Sequence, residues 1–454
     1  VTGGHEAPGL FDGVLAAGPV RGEVDDRAWL RALLDVEAAL AVACADAGLI
    51  EQPHADRVVE VCRIGGWTGD DLAALGEQAS GAGNPAAPLV RMITQRAGTE
   101  AGRFVHLGAT SQDIVDSAAM LMFTRARTLL LADLEACSAS AAALAERYAS
   151  TVQSGRTLGQ QALPVTFGFA AAGWLTALER AAAGLRELRP AVQFGGATGT
   201  LASLGTHGPT VLSALSRRLG LAEPVLAWHT DRTRITGIAG ALGTVAAAVS
   251  GIARTVTLLA QTEVAEVVEQ GPPGSGGSST MPHKRNPVAA VAAIACARQA
   301  PGLVATLLAS AEQEHQRAAG AWHAEWRPLT ELLRSSGSAL HWLSRSLHRL
   351  HVDPDRMRRN LDATGGLMLA ERITTELAPV VGRLVAHDAV TACCRRVAEG
   401  EGELIDLLAA DPVVGAELSR GRIAGLLDPA GYLGSAVEFV ERALMEYRRR
   451  KEQG

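Results

Sequence analysis

Between Gly271 and Pro287 the chain sets His283, Lys284, Arg285 and Asn286 directly behind two paired serines, Ser278 and Ser279. Lysine supplies a charge and asparagine an amide donor, which together suit a substrate carboxylate. A serine in the same segment becomes a base for a carbon-bound proton if backbone N–H groups and a nearby cation hold it as an oxyanion. The Gly, Ser and Pro content of the segment predicts a loop between two Ala-rich helices. A plain surface connection gives no reason for so many clustered polar groups. The chemistry to expect is proton abstraction beside a carboxylate.

The elements that must hold this loop read as helices. Ala, Leu, Glu and Arg dominate long stretches with apolar residues at three- and four-residue spacing. A helix is predicted over 26–46, where Trp29, Leu33, Leu34, Ala38, Leu40 and Val42 share a side and Gly48 supplies the stop. Breaks are expected at Gly81 to Pro85 and at Gly98 to Thr110. Long helical tracts follow over 114–150, 165–188 and 235–268, and the pattern resumes over 287–350; no strand is expected. The small residues of these tracts allow close helix approach, in a tight bundle or a subunit interface, so an oligomer is expected. These signals divide the chain into an N-terminal helical domain, 1–110, a central one, 111–352, and, after the turn at Asp353-Pro-Asp355, a C-terminal one, 353–454.

Composition narrows the function. Of 454 residues, 48% are apolar, 4% aromatic and 20% charged, which supports a large packed core. A formal charge of −6 offers no field for nucleic acid or an anionic membrane, and so few aromatics leave little for base stacking. The six cysteines form no C-x-x-C pair or zinc spacing and read as reduced structural thiols. Residues 1–11 lack a basic region followed by an apolar run, so a cytoplasmic location is expected. The uncharged stretch 235–253 has the length of a membrane span but is built largely of Gly, Ala, Thr and Ser, and reads as a buried helix.

Gly277-Ser-Ser-Thr-Met-Pro-His-Lys-Arg-Asn286 resembles the signature loop of the fumarase/aspartase superfamily, in the version shared by adenylosuccinate lyases and the 3-carboxy-cis,cis-muconate cycloisomerases. The resemblance implies that Ser279 is the general base, that Lys284 and Asn286 bind a substrate carboxylate, and that Ser278 and Met281 line the same site. His106-Leu-Gly-Ala-Thr-Ser-Gln-Asp113 resembles a second region of that family, with Thr110, Ser111 and Gln112 as carboxylate contacts; read from the residues alone, the segment is also an N-cap. Gly155-Arg-Thr-Leu-Gly-Gln-Gln-Ala-Leu-Pro164 resembles a third, contributing Thr157, Gln160 and Gln161. The family fold it implies is all-α: a three-domain chain whose central five-helix bundles pack four subunits into one core. Sites are then shared between subunits, on a small polycarboxylate, with no metal or organic cofactor.

Adenylosuccinate lyases carry two histidines in the third region, where this chain has Leu158 and Gln161. A neutral amide cannot protonate a leaving amine, and the resemblance turns to the cycloisomerase branch. Segments 193–197, 228–232, 313–326 and 360–366 resemble that branch too. The general acid is sought first in His229 and His106, ahead of His283, His315 and His323. Arg232 and Arg234 are candidates to clamp further carboxylates or to form surface ion pairs, and Glu325, between Trp322 and Trp326, reads as a packed structural carboxylate. The reaction implied is β-elimination through a carboxylate-stabilised carbanion. A fumarate-releasing carbon–nitrogen lyase, acting on nitrosuccinate or an aspartate-like substrate, is the alternative, and a catalytically silent structural relative a third.

Overall fold

The computed structural model describes residues 9–271, 281 and 283–453. The long helices are α1 (Asp26–Asp46), α2 (Ser111–Arg147), α3 (Phe167–Glu187), α4 (Thr233–Leu259), α5 (Val288–Ala297), α6 (Ala300–Ala309) and α7 (Ala321–His348). The all-α expectation holds except for two small antiparallel pairs, β1 (Val152–Thr157) with β2 (Gln160–Thr166), and β3 (Val267–Glu269) with β4 (Leu350–Val352). The chain forms two compact units, residues 1–135, 180–251 and 292–343, and residues 136–179, 252–291 and 344–454.

In the first unit, α1 starts where Asp25 accepts from the Ala28 N–H and buries Leu30, Leu33, Leu34, Leu40 and, among them, Glu37. At 37 residues α2 is about 55 Å long. Residues 112–123 of α2 are buried without interruption, so this helix has no solvent face there. Its buried stretch nonetheless contains Gln112, Asp113, Asp116 and Ser117, and each needs a partner.

Arg232 answers Asp116. Its side chain has no exposed surface; Nη1 and Nη2 donate to the two Asp116 oxygens at 2.8 and 3.0 Å, while Nε and Nη2 donate to Glu325 at 3.0 and 2.6 Å. Nη1 also reaches the carbonyls of Trp228 and His229, and Trp322 Nε1 donates to Asp116 Oδ1 at 3.0 Å. One guanidinium therefore ties α2, the segment before α4 and the first turns of α7 together. Burial by itself would lower the Arg232 pKa, but the carboxylates of Asp116 and Glu325 outweigh it and hold the charge firmly on.

In the second unit, Ile373, Leu377, Ala386, Val390, Leu404, Leu408 and Ile423 form a core around helices α9 (Ala370–Val381) and α10 (Arg383–Ala398), which follow α8 (Pro354–Asp362). The hairpin β1–β2 departs from the sequence expectation of a helix from 165. That helix begins at Phe167, and the residues before it pair from Val152↔Thr166 to Thr157↔Gln160. Leu158 and Gly159 close the hairpin with φ of 52° and 80°, the sign that a two-residue type I′ turn requires at both positions. Likewise α4 stops at Leu259 rather than running to 268, and Val267–Glu269 is a strand.

All six cysteines are free thiols, as expected, and five are buried. By length and composition alone, α2, α4 and the pair Val288–Ala309 are apolar enough to cross a membrane, and less than half of the most apolar stretch of each is buried within the chain. Leu258, Val288, Val291 and Leu308 are large apolar side chains left exposed there.

Replacing Arg232 by Met leaves two buried carboxylates facing each other without a cation. Unfolding free energy should fall by about 3–5 kcal/mol, read from the urea midpoint, while Trp322→Phe, which removes one donor to Asp116, should cost about 1–2 kcal/mol.

Candidate active site

The N-terminus of α2 is organised by Asp113. This buried carboxylate accepts from the Thr110 N–H at 3.0 Å, from the backbone N–H groups of Gly195 and Gly196 at 3.0 and 2.8 Å, and from Gln193 Nε2 at 3.2 Å. His229 Nε2 lies 2.7 Å from the same carboxylate. Asp113 thus draws the 193–196 segment and His229 onto the start of α2, and leaves the Thr110 hydroxyl and Ser111 partly exposed. Gln193 Oε1 in turn accepts from the Trp228 N–H at 2.7 Å. The close fit needs glycine: a Cβ at Gly195 would stand 2.6 Å from the Ala227 Cβ.

The sequence candidates near this helix start divide into two groups. Gln112 is buried, and its amide donates to the His229 carbonyl at 2.8 Å and to Asp116 at 3.2 Å, so it braces the fold. His229 is 4% exposed, with one ring nitrogen committed to Asp113. Arg232 spends its guanidinium on Asp116, Glu325 and two carbonyls, which leaves it nothing to offer a substrate, and Glu325 is the packed carboxylate that its tryptophan neighbours implied. Arg234 stacks over the Trp228 ring at 5.8 Å, and its Nε is buried without a hydrogen-bond partner among the described residues.

His106 stands apart from these. Its backbone is left-handed, with φ 61°, an uncommon state for a residue with a Cβ. Its Nδ1 lies 2.7 Å from Oε1 of Glu37, whose side chain is fully buried, whereas the imidazole keeps 18% of its surface. Burial alone would lower the His106 pKa; the charge and hydrogen bond of Glu37, with Asp113 further off, overcome it and raise it above the ordinary histidine value. Glu37 escaped the sequence reading because it lies 69 residues away, although an acidic residue inside the apolar stripe of α1 was a visible signal. The remaining candidate histidines lie nearer the surface. His323 Nε2 bonds the Gly83 carbonyl at 3.0 Å, and His315 and His283 are exposed.

Thr110 Oγ1 accepts from Arg317 Nη1 at 2.6 Å. Arg317 belongs to a short loop braced at both ends: Glu314 Oε1 accepts from the Ala319 N–H, and Thr230 Oγ1 donates to the His315 carbonyl at 3.2 Å.

The second unit carries the other candidates. Ser278 and Ser279 lie outside the described residues; Met281 and Lys284 are exposed and Asn286 is half-buried. What anchors their segment is Glu269, at the end of β3. It accepts from the N–H groups of Ala289 and Ala290, in the first turn of α5, at 3.0 and 2.9 Å, and from the Ser346 hydroxyl. One carboxylate therefore fixes both the entry to and the exit from the serine-bearing segment. Three residues earlier, fully buried Glu266 takes a bidentate pair from Arg156 at 3.0 and 2.6 Å and a bond from Asn360 Nδ2 at 2.8 Å. Gln161 donates to the Asn360 carbonyl at 3.1 Å and keeps Oε1 buried without a partner among the described residues. Thr157 and Gln160 flank the hairpin turn and are exposed, with Leu158 wholly exposed between them.

Comparison with known proteins gives this geometry a family. Residues 14–302 match the family model described as lyase, and residues 366–443 the one described as adenylosuccinate lyase C-terminus. The chain is 47% identical to a 3-carboxy-cis,cis-muconate cycloisomerase of Pseudomonas aeruginosa, covering 96% of each. It is 40% identical to a nitrosuccinate lyase of Streptomyces davaonensis, over 96% of this chain and 94% of that one. Among solved structures, the 3-carboxy-cis,cis-muconate lactonizing enzyme from Pseudomonas putida superposes with a TM-score of 0.92 at 43% identity, over 97% of this chain and 99% of that one. A full-length match in sequence and fold, joined to the signature loop, identifies the chain as an enzyme of the fumarase/aspartase superfamily of lyases.

Proposed function

We propose that the chain is a cycloisomerase that interconverts 3-carboxy-cis,cis-muconate and its carboxymuconolactone. The observation that carries this reading is the full-length likeness to a cycloisomerase, combined with a hairpin that holds Leu158 and Gln161 at the positions where the resemblance to adenylosuccinate lyases implies histidines. In the lactone-opening direction Ser279 removes the proton beside a carboxylate bound by Lys284 and Asn286, with Ser278 and Met281 in the same segment. The carbon–oxygen bond then breaks. The departing carboxylate is the conjugate base of an acid of pKa about 4, so it leaves without needing a proton. Thr110 and Ser111 receive a second carboxylate, and Thr157, Gln160 and Gln161 line the pocket from the hairpin. We assign His229 to the support of α2, and give His106, the histidine whose pKa Glu37 raises, the task of facing the polyanion.

The half-exposed apolar helices favour assembly into the family's tetramer, which would bury Leu258, Val291 and Leu308 and let different subunits complete each site. In the same reading the chain follows the family's three-domain plan, 1–110, 111–352 and 353–454, and works in the cytoplasm. The 40% identity to a nitrosuccinate lyase supports a second reading. Nitrite is also a stable leaving group, so the same residues would release fumarate from nitrosuccinate.

Loss of muconate absorbance by the purified protein tests the first reading. Ser279→Ala should slow it by at least about 10²–10⁴-fold while leaving the circular dichroism unchanged. Fumarate from nitrosuccinate with the muconate untouched would transfer the assignment to the second reading.

The His106 role has a pH signature. A raised folded-state pKa means that the imidazolium, and the stability it contributes, is fully present below the unfolded value and is lost as pH rises through the folded one. Activity should fall on that alkaline limb. Glu37→Gln removes the charge that does most to raise the pKa and leaves burial, which lowers it, opposed only by the more distant Asp113, so the limb should move to lower pH in the kcat/KM profile.

A further inference from the structure

The proposed substrate has three carboxylates, and the cations assigned from sequence do not suffice for them. Lys284 with Asn286 serves one carboxylate, and Thr110 with Ser111 offers a second only neutral hydroxyls. Of the two sequence candidates for the next, Arg232 is spent on Asp116 and Glu325 inside the fold, and Arg234 packs over the Trp228 ring with its Nε buried. A carboxylate desolvated without a cation is costly.

Arg317 meets that need. It is exposed, makes no ion pair among the described residues, and reaches Thr110 Oγ1 through Nη1 alone at 2.6 Å. Its loop is not a loose tether. Glu314 closes it onto the Ala319 N–H, Thr230 holds the His315 carbonyl, and His315 itself is kept left-handed at φ 54°. Backbone strain of this kind persists where surrounding contacts over-determine it, often at ligand clamps. The carboxylate of Asp113 accepts from the Thr110 N–H and from Gly195 and Gly196, so its hydrogen bonds point into the fold, while Arg317 stands on the hydroxyl.

We propose that Arg317 is a specificity-determining residue that receives the additional carboxylate of a tricarboxylate beside Thr110, its planar fork giving two parallel bonds to the carboxylate oxygens. This rests on the polycarboxylate reading of the site, and it separates a tricarboxylate substrate from a succinate skeleton that lacks the third group.

Calorimetric titration of the full-length protein with tricarballylate, a tricarboxylate, and with succinate, a dicarboxylate, tests it. Wild type should bind tricarballylate more tightly. Arg317→Gln should weaken tricarballylate by about 10- to 100-fold and succinate by less than about threefold. Arg317→Lys should recover part of the loss, since it keeps the charge but not the fork. If the protein turns over the muconate, Arg317→Gln should raise KM far more than it lowers kcat. Equal weakening of both ligands, no weakening of either, or a wild type without preference for tricarballylate overturns the proposal. Failure of muconate turnover with the ligand difference intact overturns the cycloisomerase reading and leaves Arg317 standing. Because Arg317 is exposed, its variants should keep the wild-type melting temperature.

Discussion

A guanidinium with no exposed surface is tolerable only if its donors are satisfied, and at Arg232 that requirement shapes the first unit. Asp116 and Glu325 take its charge in paired bonds, and the carbonyls of Trp228 and His229 take what remains. Such a network is weak evidence for net stability, because removing charges from water costs about as much as their attraction returns. It does fix geometry. Asp113 and Asp116 lie three residues apart on α2 and hence on one face. The first collects Gly195, Gly196 and His229, the second Arg232 and Trp322. Two carboxylates one turn apart thus determine where three distant segments meet the start of α2, and with them where the Thr110 hydroxyl stands.

The second unit repeats the device with Glu266 and Glu269. Glu266 binds Arg156 of the hairpin and Asn360 of α8, and Glu269 binds the first turn of α5 and Ser346 of α7. Glu269 fixes both described ends of the segment that carries the reactive groups with one side chain. Buried acids in this protein act as joints between segments remote in sequence.

That division explains what the sequence made legible. The helix over 26–46 and the long tract after residue 110 were readable because apolar spacing and turn residues are local signals. The hairpin was not, since Gln160 to Pro164 has no clean alternation and its I′ turn carries Leu158 where Asn or Gly is usual. The end of α4 was missed because residues 260–268 keep a helical composition, and only the pairing of Val267–Glu269 with Leu350–Val352 gives them another state. At the site, the types of the reactive residues were legible and their surroundings were not. Arg232 and Gln112 look in sequence like any binding residues, and what buries them is distant in the chain: the arginine bonds Glu325 and Asp116 across 93 and 116 residues, and the glutamine bonds the His229 carbonyl across 117. Glu37 and Glu269 went unnamed for the same reason.

The histidines show why location outranks residue type in assigning chemistry here. His229 and His106 each face a buried carboxylate at 2.7 Å, so the pairs look alike. Asp113 already accepts four other hydrogen bonds, from Thr110, Gln193, Gly195 and Gly196, which spread its charge among neutral donors, and His229 has almost no surface from which to pass a proton. Glu37 has no such company: its second oxygen is buried without a partner among the described residues. Its charge therefore has one principal outlet, the His106 imidazole, and this ring keeps a surface toward solvent. A ring whose cationic form is favoured from behind and which is open in front suits a reaction in which negative charge grows on a polycarboxylate and the leaving group departs unprotonated. An amine leaving group, by contrast, needs a proton delivered at the bond being broken. The hairpin agrees with this electrostatic division, since it offers Gln161 and Leu158 and no titratable side chain at either position.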